Sequence, residues 1–118
     1  MTSASQTVLN RQSAPHYTWG EVCEGWRLMG TLGLSVIEER MPPNAEEVRH
    51  FHQEAHQLFY VIEGELSMEV EGEMHRLTPN DALPVLPQQA HQARNDSQSD
   101  VRFLVISAPG ADGDRVPT

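Results

Sequence analysis

Three histidines stand within seven residues directly before a strongly β-forming segment, in the run of residues 49–66 that reads RHFHQEAHQLFYVIEGEL. His50 and His52 are two residues apart, so an extended backbone points both side chains to the same face of a strand. Two imidazole nitrogens on one face can bind the same ion. The run therefore predicts a strand of a β-sheet that carries a candidate pair of metal ligands.

A proline-bounded strand in the second half of the chain leads to another histidine, in the stretch LPVLPQQAHQARN. His91 is a third candidate ligand, and Asn95 follows it four residues later with the same strand parity. An amide side chain offers both donors and an acceptor to backbone groups. We therefore expect Asn95 to close a neighbouring loop rather than to bind a metal.

The spacing of these residues forms two motifs: His50, one residue, His52, four residues, Gln57, six residues and Gly64, then His91, three residues and Asn95. This spacing resembles the two cupin motifs, HxH–x(3,4)–E–x6–G and PxGxxHxxxN, over roughly residues 31–107. The resemblance implies an all-β fold, the double-stranded β-helix or cupin jelly-roll barrel. In that family the histidines and the acid converge on one metal ion inside the barrel.

Three positions depart from the cupin pattern. Gln57 occupies the position of the acid, the glycine that opens the second motif is replaced around Asn80 and Asp81, and the glycine before His91 is absent. Asparagine tolerates the left-handed turn conformation that glycine serves. An amide at position 57 removes one negative charge, so we expect an ion that is held more weakly but acts as a stronger Lewis acid.

The resemblance implies one divalent transition metal ion with the ligands His50, His52, Gln57 and His91. His56 is a competing ligand, because neighbours in a regular strand point to opposite faces and only one of His56 and Gln57 can face the ion. The six-residue gap to Gly64 favours Gln57, but the linker at residues 53–55 leaves the choice open. Such ligands suit iron, nickel, zinc, manganese or copper without selecting among them.

The rest of the chain reads as short strands between turn signals, without helical periodicity. Residues 71–72 (Glu-Gly) predict a tight hairpin, and two prolines end the strand that begins near residue 31. We predict a flexible N-terminal arm at residues 1–14, a single barrel domain at residues 15–108 and an irregular C-terminal tail at residues 109–118.

Strand parity also predicts which side chains line a pocket beside the metal. Phe59 and Val61 share the inward parity of Gln57, and Phe103 is a candidate from the final strand. Trp26 belongs to an aromatic segment that either plugs or flanks the barrel or lines the pocket mouth. A mainly apolar cup of this kind predicts a small organic molecule as ligand or substrate.

The outward parity of the same strand predicts a contact surface. Leu58, Tyr60 and Ile62 point away from the barrel, and we expect Phe51 beside them on a neighbouring strand. An outward apolar patch usually marks an interface, so we predict a homodimer. The alternative is that the protein's own aromatic segment covers the patch.

Composition narrows the classes of partner. Seventeen acidic against eight basic residues give a formal charge of −9, which argues against nucleic acid and against an anionic membrane as partners. No apolar stretch approaches the roughly 18 residues of a membrane helix. The single cysteine, Cys23, agrees with a reducing compartment, so we predict a cytoplasmic protein.

Two classes of function remain open at this point. The first is a metal-dependent enzyme, a dioxygenase or an isomerase or lyase, acting on a small molecule. The second is a binding or sensing module that holds a metabolite on the same metal without turnover, and a vestigial metal site is a third alternative. No second carboxylate or lysine stands at a spacing that indicates a general base, so the catalytic residues stay unassigned.

Overall fold

The computed structural model describes residues 6–110 and 113–118, which contain eleven strands and no helix. The strands are β1 His16–Trp19, β2 Cys23–Gly30, β3 Ser35–Met41, β4 His50–His52, β5 His56–Glu63, β6 Leu66–Val70, β7 Glu73–Leu77, β8 Ala82–Val85, β9 His91–Arg94, β10 Val101–Ala108 and β11 Arg115–Pro117. Within these two ranges, nothing helical is long or apolar enough to cross a lipid bilayer.

The strands form two antiparallel sheets that enclose one core. One sheet has six strands in the order β1-β2-β3-β10-β5-β8, and the other has five in the order β11-β4-β9-β6-β7. Consecutive strands repeatedly change sheet, as in β4 to β5 and β8 to β9. This arrangement is the double-stranded β-helix that the sequence predicted.

Strand β5 shows how the sequence pattern places side chains inside and outside the barrel. Gln57, Phe59 and Val61 are buried, whereas His56 at the start of the strand is exposed. The alternation follows from the period of two along an extended backbone. The buried apolar core comprises Cys23, Met41, Phe59, Val61, Leu66, Met68, Val70, Leu77, Val85, Ala93, Val101, Phe103 and Val105.

Left-handed backbone conformations explain how the chain tolerates the missing glycines. Asn80 has a φ of 75° and Gln88, three residues before His91, has a φ of 68°. At Gly64 the φ is 84°, and an added Cβ would lie 2.9 Å from the Cα of Val101. Glycine is therefore required at position 64, while asparagine and glutamine adopt the two other turns.

The C-terminal segment differs from the prediction of an irregular tail. Residues 115–117 form strand β11, which pairs antiparallel with β4 at the edge of the five-stranded sheet. The sequence APGADGDRVPT conceals this strand, because three paired residues are too short for a recognisable alternation. The open edge of β4 supplies the hydrogen-bonding partner that makes so short a strand possible.

The predicted N-terminal arm lies partly outside the described residues, since the structure describes the chain from residue 6 onward. Residues 6–13 are exposed, and Ala14 is buried. Arg11 lies over the Trp26 ring, 5.9 Å from its centroid, and 3.5 Å from a carboxylate oxygen of Glu38. This end of the chain therefore contacts the outer face of the six-stranded sheet.

Candidate metal centre

Three buried histidines meet on the inner face of the five-stranded sheet. His50 and His52 share β4, and His91 on β9 is the register partner of His50. The His50 ring centroid lies 5.0 Å from that of His52 and 4.5 Å from that of His91. One ring nitrogen from each of the three lies within 4.8 Å of the others. The three histidines can therefore bind one metal ion, which is a role that imidazole commonly fills.

Backbone carbonyls fix the orientation of two of these rings. The Nδ1 of His50 donates to the carbonyl of Val48 at 2.7 Å, and the Nδ1 of His91 donates to the carbonyl of Gln89 at 2.9 Å. A carbonyl only accepts, so in each neutral ring the Nε2 carries the lone pair. Metal-binding histidines usually use their second nitrogen in this way.

All three rings are held in the neutral form. Burial lowers the pKa of His50 to about 3, and burial also lowers the pKa values of His52 and His91. The carboxylate of Asp114 lies 3.9 Å from the Nδ1 of His52, which is too long for a hydrogen bond. Neutral imidazoles are available as metal ligands at physiological pH.

Gln57, and not His56, shares the interior with the three histidines. The Nε2 of Gln57 donates to the hydroxyl of Ser107 at 3.0 Å, and its Oε1 is buried without a hydrogen-bond partner. His56 is exposed on the opposite face of β5, so it lies outside the site. The alternation of the strand resumes at residue 56, which turns Gln57 toward the interior and His56 away from it.

His50 and His52 line a cavity of about 240 Å³ between the two sheets. Its lining residues are Ser35, Ile37, Glu39, Glu47, His50, His52, Gln57, Phe59, Val105, Ser107, Gly113 and Arg115. The sequence interpretation anticipated a mainly apolar cup. The cavity is more polar than that, because it contains two carboxyl groups and a guanidinium group.

Glu39 and Glu47 are the acidic groups that the sequence interpretation missed. Burial, together with the nearby charge of Glu47, raises the pKa of Glu39 to about 8. Burial raises the pKa of Glu47 to about 7, although this carboxylate also accepts the amide of Ala93 at 2.9 Å. Glu39 had one sequence signal, because it stands between Ile37 and Met41 on the apolar face of β3.

Tyr17 reaches Glu39 from the edge of the six-stranded sheet. Its ring occupies the space above Gly25, where an added Cβ would meet ring atoms of Tyr17. Gly25 is the register partner of both Tyr17 and Glu39, so the missing side chain lets the phenol lie across β2. The hydroxyl of Tyr17 then donates to the Glu39 carboxylate at 3.4 Å. This glycine therefore allows an aromatic residue to hold one carboxyl group of the cavity wall.

Only one of the four predicted pocket residues lines this cavity. Phe59 does so, with its ring centroid 5.8 Å from that of His91. Val61 and Phe103 face inward as expected, but they fill the apolar core beyond Phe59. Trp26 pairs with Glu38 on the outer face of the six-stranded sheet, where it stacks against His16. The expectation that these three line the pocket is therefore wrong for Val61, Phe103 and Trp26.

Asn95 lies beside the site as a fully bonded structural residue. Its Nδ2 donates to the carbonyls of Met41 at 2.9 Å and Ser99 at 2.8 Å. Its Oδ1 accepts the amide and the hydroxyl of Ser97 at 3.0 and 2.7 Å. All the bonding capacity of the amide is used, so no ligand atom remains for a metal.

Residues 37–107 match the sequence profile of the family described as the cupin domain. The match covers more than half of the chain, and the chain therefore belongs to the cupin family. No curated protein sequence matches the chain.

Solved structures of other cupins share the fold at low sequence identity. KdgF from a Halomonas species has a TM-score of 0.82 at 21% identity, over 92% of this chain and 97% of that one. An RmlC-like cupin from Shewanella frigidimarina has a TM-score of 0.81 at 22% identity, over 92% and 95%. The polyketide cyclase RemF from Streptomyces resistomycificus has a TM-score of 0.81 at 18% identity, over 97% and 86%. These similarities establish the fold.

Proposed function

We propose that the protein binds one divalent transition metal ion through His50, His52 and His91, with Gln57 as a fourth ligand. The observation that carries the proposal is a pair of buried polar atoms without partners, Gln57 Oε1 and His91 Nε2. Buried polar atoms are nearly always bonded, since leaving one unpaired costs about 1–3 kcal/mol. A metal ion would satisfy atoms that no protein group reaches.

We further propose that the metal-bearing cavity acts on a small organic molecule, as an isomerase or lyase or as an oxygenase. A bound divalent ion would supply Lewis acidity at a ligand oxygen. The chain itself supplies two carboxyl groups, Glu39 and Glu47, with pKa values of about 8 and about 7. Groups that gain and lose a proton near neutral pH suit general acid–base chemistry, which favours isomerase or lyase activity. The fold shared with a polyketide cyclase supports a reaction on a small molecule.

A binding or sensing module is the second candidate function. Gln57 and the three histidines are all uncharged ligands, so a bound ion keeps its full positive charge. Such an ion retains an anionic metabolite strongly, with or without turnover. The same site therefore supports both candidates, and only a search for product separates them.

Elemental analysis of protein loaded with excess iron, nickel, zinc, copper or manganese tests the metal site. We expect one ion per chain in the parent and none in His52→Ala or His91→Ala. Gln57→Ala should bind the ion more weakly, and Gln57→Glu should bind it more tightly because a carboxylate adds a negative charge. A parent protein that binds none of the five metals would contradict the proposal.

His56→Ala is the matched control for the metal site, because His56 adjoins Gln57 in sequence but is exposed. We expect this variant to keep its full complement of metal. If His56→Ala lost the ion while both Gln57 variants behaved like the parent, the assignment of the fourth ligand would be wrong.

Turnover is tested by supplying the metal-loaded protein with a panel of diketones, phenolics, thiols and hydroxy acids. Oxygen uptake with iron-loaded protein indicates an oxygenase, and a product of unchanged mass indicates an isomerase. A thermal shift on ligand binding, with no product detected by mass spectrometry, would favour the binding module.

We also propose that two copies associate through the outer face of the six-stranded sheet. Leu58 and Tyr60 on β5 lie beside Ile106 and Leu104 on β10, and all four are half-buried. Phe51 does not extend this patch as expected, since β4 belongs to the other sheet. Light scattering at micromolar concentration should give twice the 13.2 kDa mass of one chain. Cell fractionation would test the accompanying proposal that the protein works in the cytoplasm.

A further inference from the structure

The C-terminal strand brings a cationic side chain to the cavity. β11 pairs with β4, and Arg115 is the register partner of His52. The preceding residue anchors this segment, because the carboxylate of Asp114 accepts the backbone amides of Gln53, Glu54 and Ala55 at 2.9 to 3.3 Å. Position 115 is therefore fixed beside the histidines by a paired strand and a cluster of hydrogen bonds.

Arg115 lines the polar cavity. It carries the one guanidinium among the described residues that line the cavity. Burial dominates the pKa shifts of the three histidines and of Glu39 and Glu47, and the charge of Arg115 adds a smaller lowering of the pKa at each of them. Because the charge of Arg115 lowers the pKa of all five groups, it lies near the candidate metal ligands and both carboxyl groups.

Arg115 differs from most other arginines of the chain in its bonding. Arg40 donates to Glu24 at 2.6 Å, and Arg49 and Arg102 also form ion pairs with carboxylates. Arg115 donates from Nη2 to the carbonyl of Val48 at 3.1 Å, and across residues 6–110 and 113–118 no carboxylate lies within 4.0 Å of it. An exposed guanidinium at the cavity thus keeps donors for another group.

The chemistry of a guanidinium group defines the kind of partner that Arg115 can bind. Its five N–H donors form a planar fork that matches two oxygens of a carboxylate or phosphate. Glu39 and Glu47 are the alternative partners within the protein, but neither lies within ion-pair distance of Arg115. In a chain with 17 acidic and 8 basic residues, an arginine at a cavity without a carboxylate partner points to an anion from outside.

We propose that Arg115 binds an oxyanion, a carboxylate or a phosphate, on the small molecule that occupies the metal cavity. The inference rests on the proposed function, because it assigns one part of the ligand to a residue beside the candidate metal ligands. Arg115 is then a binding residue that determines specificity for anionic ligands.

Three small probes test this role by amide NMR titration of zinc-loaded protein: pyruvate, its uncharged counterpart pyruvamide, and inorganic phosphate. We expect Arg115→Gln to weaken binding of pyruvate or of phosphate by tenfold or more, about the effect of one charge-assisted hydrogen bond. Pyruvamide affinity should change less than about twofold, since its amide lacks the charge. Arg115→Lys should fall between the parent and Arg115→Gln, because lysine keeps the charge and lacks the fork.

Arg76→Gln is the matched control, since Arg76 is an exposed arginine on β7 that contacts Glu65 outside the cavity. This variant should bind every probe as the parent does. If Arg115→Gln bound both pyruvate and phosphate as tightly as the parent does, the proposal would be overturned. Equal losses for pyruvate and pyruvamide, or a parent that binds neither anion, would overturn it as well. The anion whose affinity falls in Arg115→Gln, pyruvate or phosphate, shows whether Arg115 binds a carboxylate or a phosphate.

Zinc content measured on each sample separates this inference from the proposed metal site. Full zinc occupancy with no dependence of anion binding on Arg115 overturns the inference and leaves the metal site intact. A parent protein without bound zinc contradicts the metal site, and the same titrations of metal-free parent and Arg115→Gln then decide the role of Arg115.

Discussion

The interior of the barrel has two unlike halves. The apolar half is formed by Met41, Val61, Leu66, Met68, Val101 and Phe103, all fully buried. The polar half contains Glu39, Glu47, His50, His52 and Gln57, which line a cavity, together with the buried His91. Strands β5 and β10 contribute to both, and Phe59 stands between them, near Phe103 on one side and His91 on the other. The barrel thus separates the residues that stabilise it from those that can do chemistry, within the same strands.

Removing a large side chain from the apolar half should give the largest effect on stability. Phe103→Ala should lower the free energy of unfolding by about 3–5 kcal/mol, the usual cost of such a cavity. Chemical denaturation measures this loss, and metal stoichiometry should stay unchanged. Loss of the ion from folded Phe103→Ala protein would show that the two halves are not separate.

Two further variants keep that comparison interpretable. Leu104→Ala changes the next residue of β10, which is half-buried on the outer face, and should cost less than Phe103→Ala. Phe103→Leu keeps most of the volume and should cost less than about 1.5 kcal/mol, so it stays available if the alanine variant does not fold.

A residue at the boundary of the site should affect stability without affecting the metal. Asn95→Ala removes four hydrogen bonds to loop groups, and we expect a loss of about 1–3 kcal/mol because buried backbone groups are left unpaired. Denaturation and elemental analysis of the same sample check both expectations. A loss of metal with an unaltered melting temperature would instead identify Asn95 as part of the metal centre.

The polar half should show the smallest of these effects on stability, and that effect should depend on pH. The pKa of Glu39 is raised from 4.5 to about 8, so between these values the folded state binds more protons than the unfolded state. The stability that protonated Glu39 contributes is complete below pH 4.5 and is lost as the pH rises through about 8.

Glu39→Gln stays neutral and should remove this dependence. In metal-free protein at pH 9 we expect the variant to be more stable than the parent by about 1–2 kcal/mol, a value reduced for water in the cavity, and nearly equal at pH 5. Urea unfolding across this range is the measurement. Glu73→Gln on exposed β7 is the control and should follow the parent. Parallel pH profiles for Glu39→Gln and the parent would contradict the raised pKa.

The predictable parts of the molecule were those with a local pattern. The period-two alternation of β5 placed Phe59 and Val61 inward, and the two-residue spacing of His50 and His52 put them on one face. The cupin resemblance then implied where His91 would lie. The sequence left open whether His56 or Gln57 faces the interior. The answer depended on the linker at residues 53–55, which has no regular alternation of side chains.

Arg115 and Glu47, two of the missed residues, lack any local signal. Arg115 lies 63 positions after its register partner His52, in a segment rich in glycine, proline and aspartate. Glu47 follows a turn and belongs to no strand, so no alternation of buried and exposed residues marks it. Its place in the cavity depends on the hydrogen bond that it accepts from the amide of Ala93. Polar residues brought together by pairing between distant strands follow from tertiary structure, which short-range patterns do not encode.

Strand β10 has a consequence for the order in which the protein can fold. It is the strand that joins β3 to β5, so these two earlier strands have no direct pairing with each other. During synthesis both are made before residues 101–108. Strands β1, β2 and β3 can pair with one another, and β5 with β8, before β10 is made. The two parts join into one sheet only through β10, by contacts distant in sequence, which form slowly. Until then β3 and β5 each present one unpaired strand edge, and such edges favour aggregation.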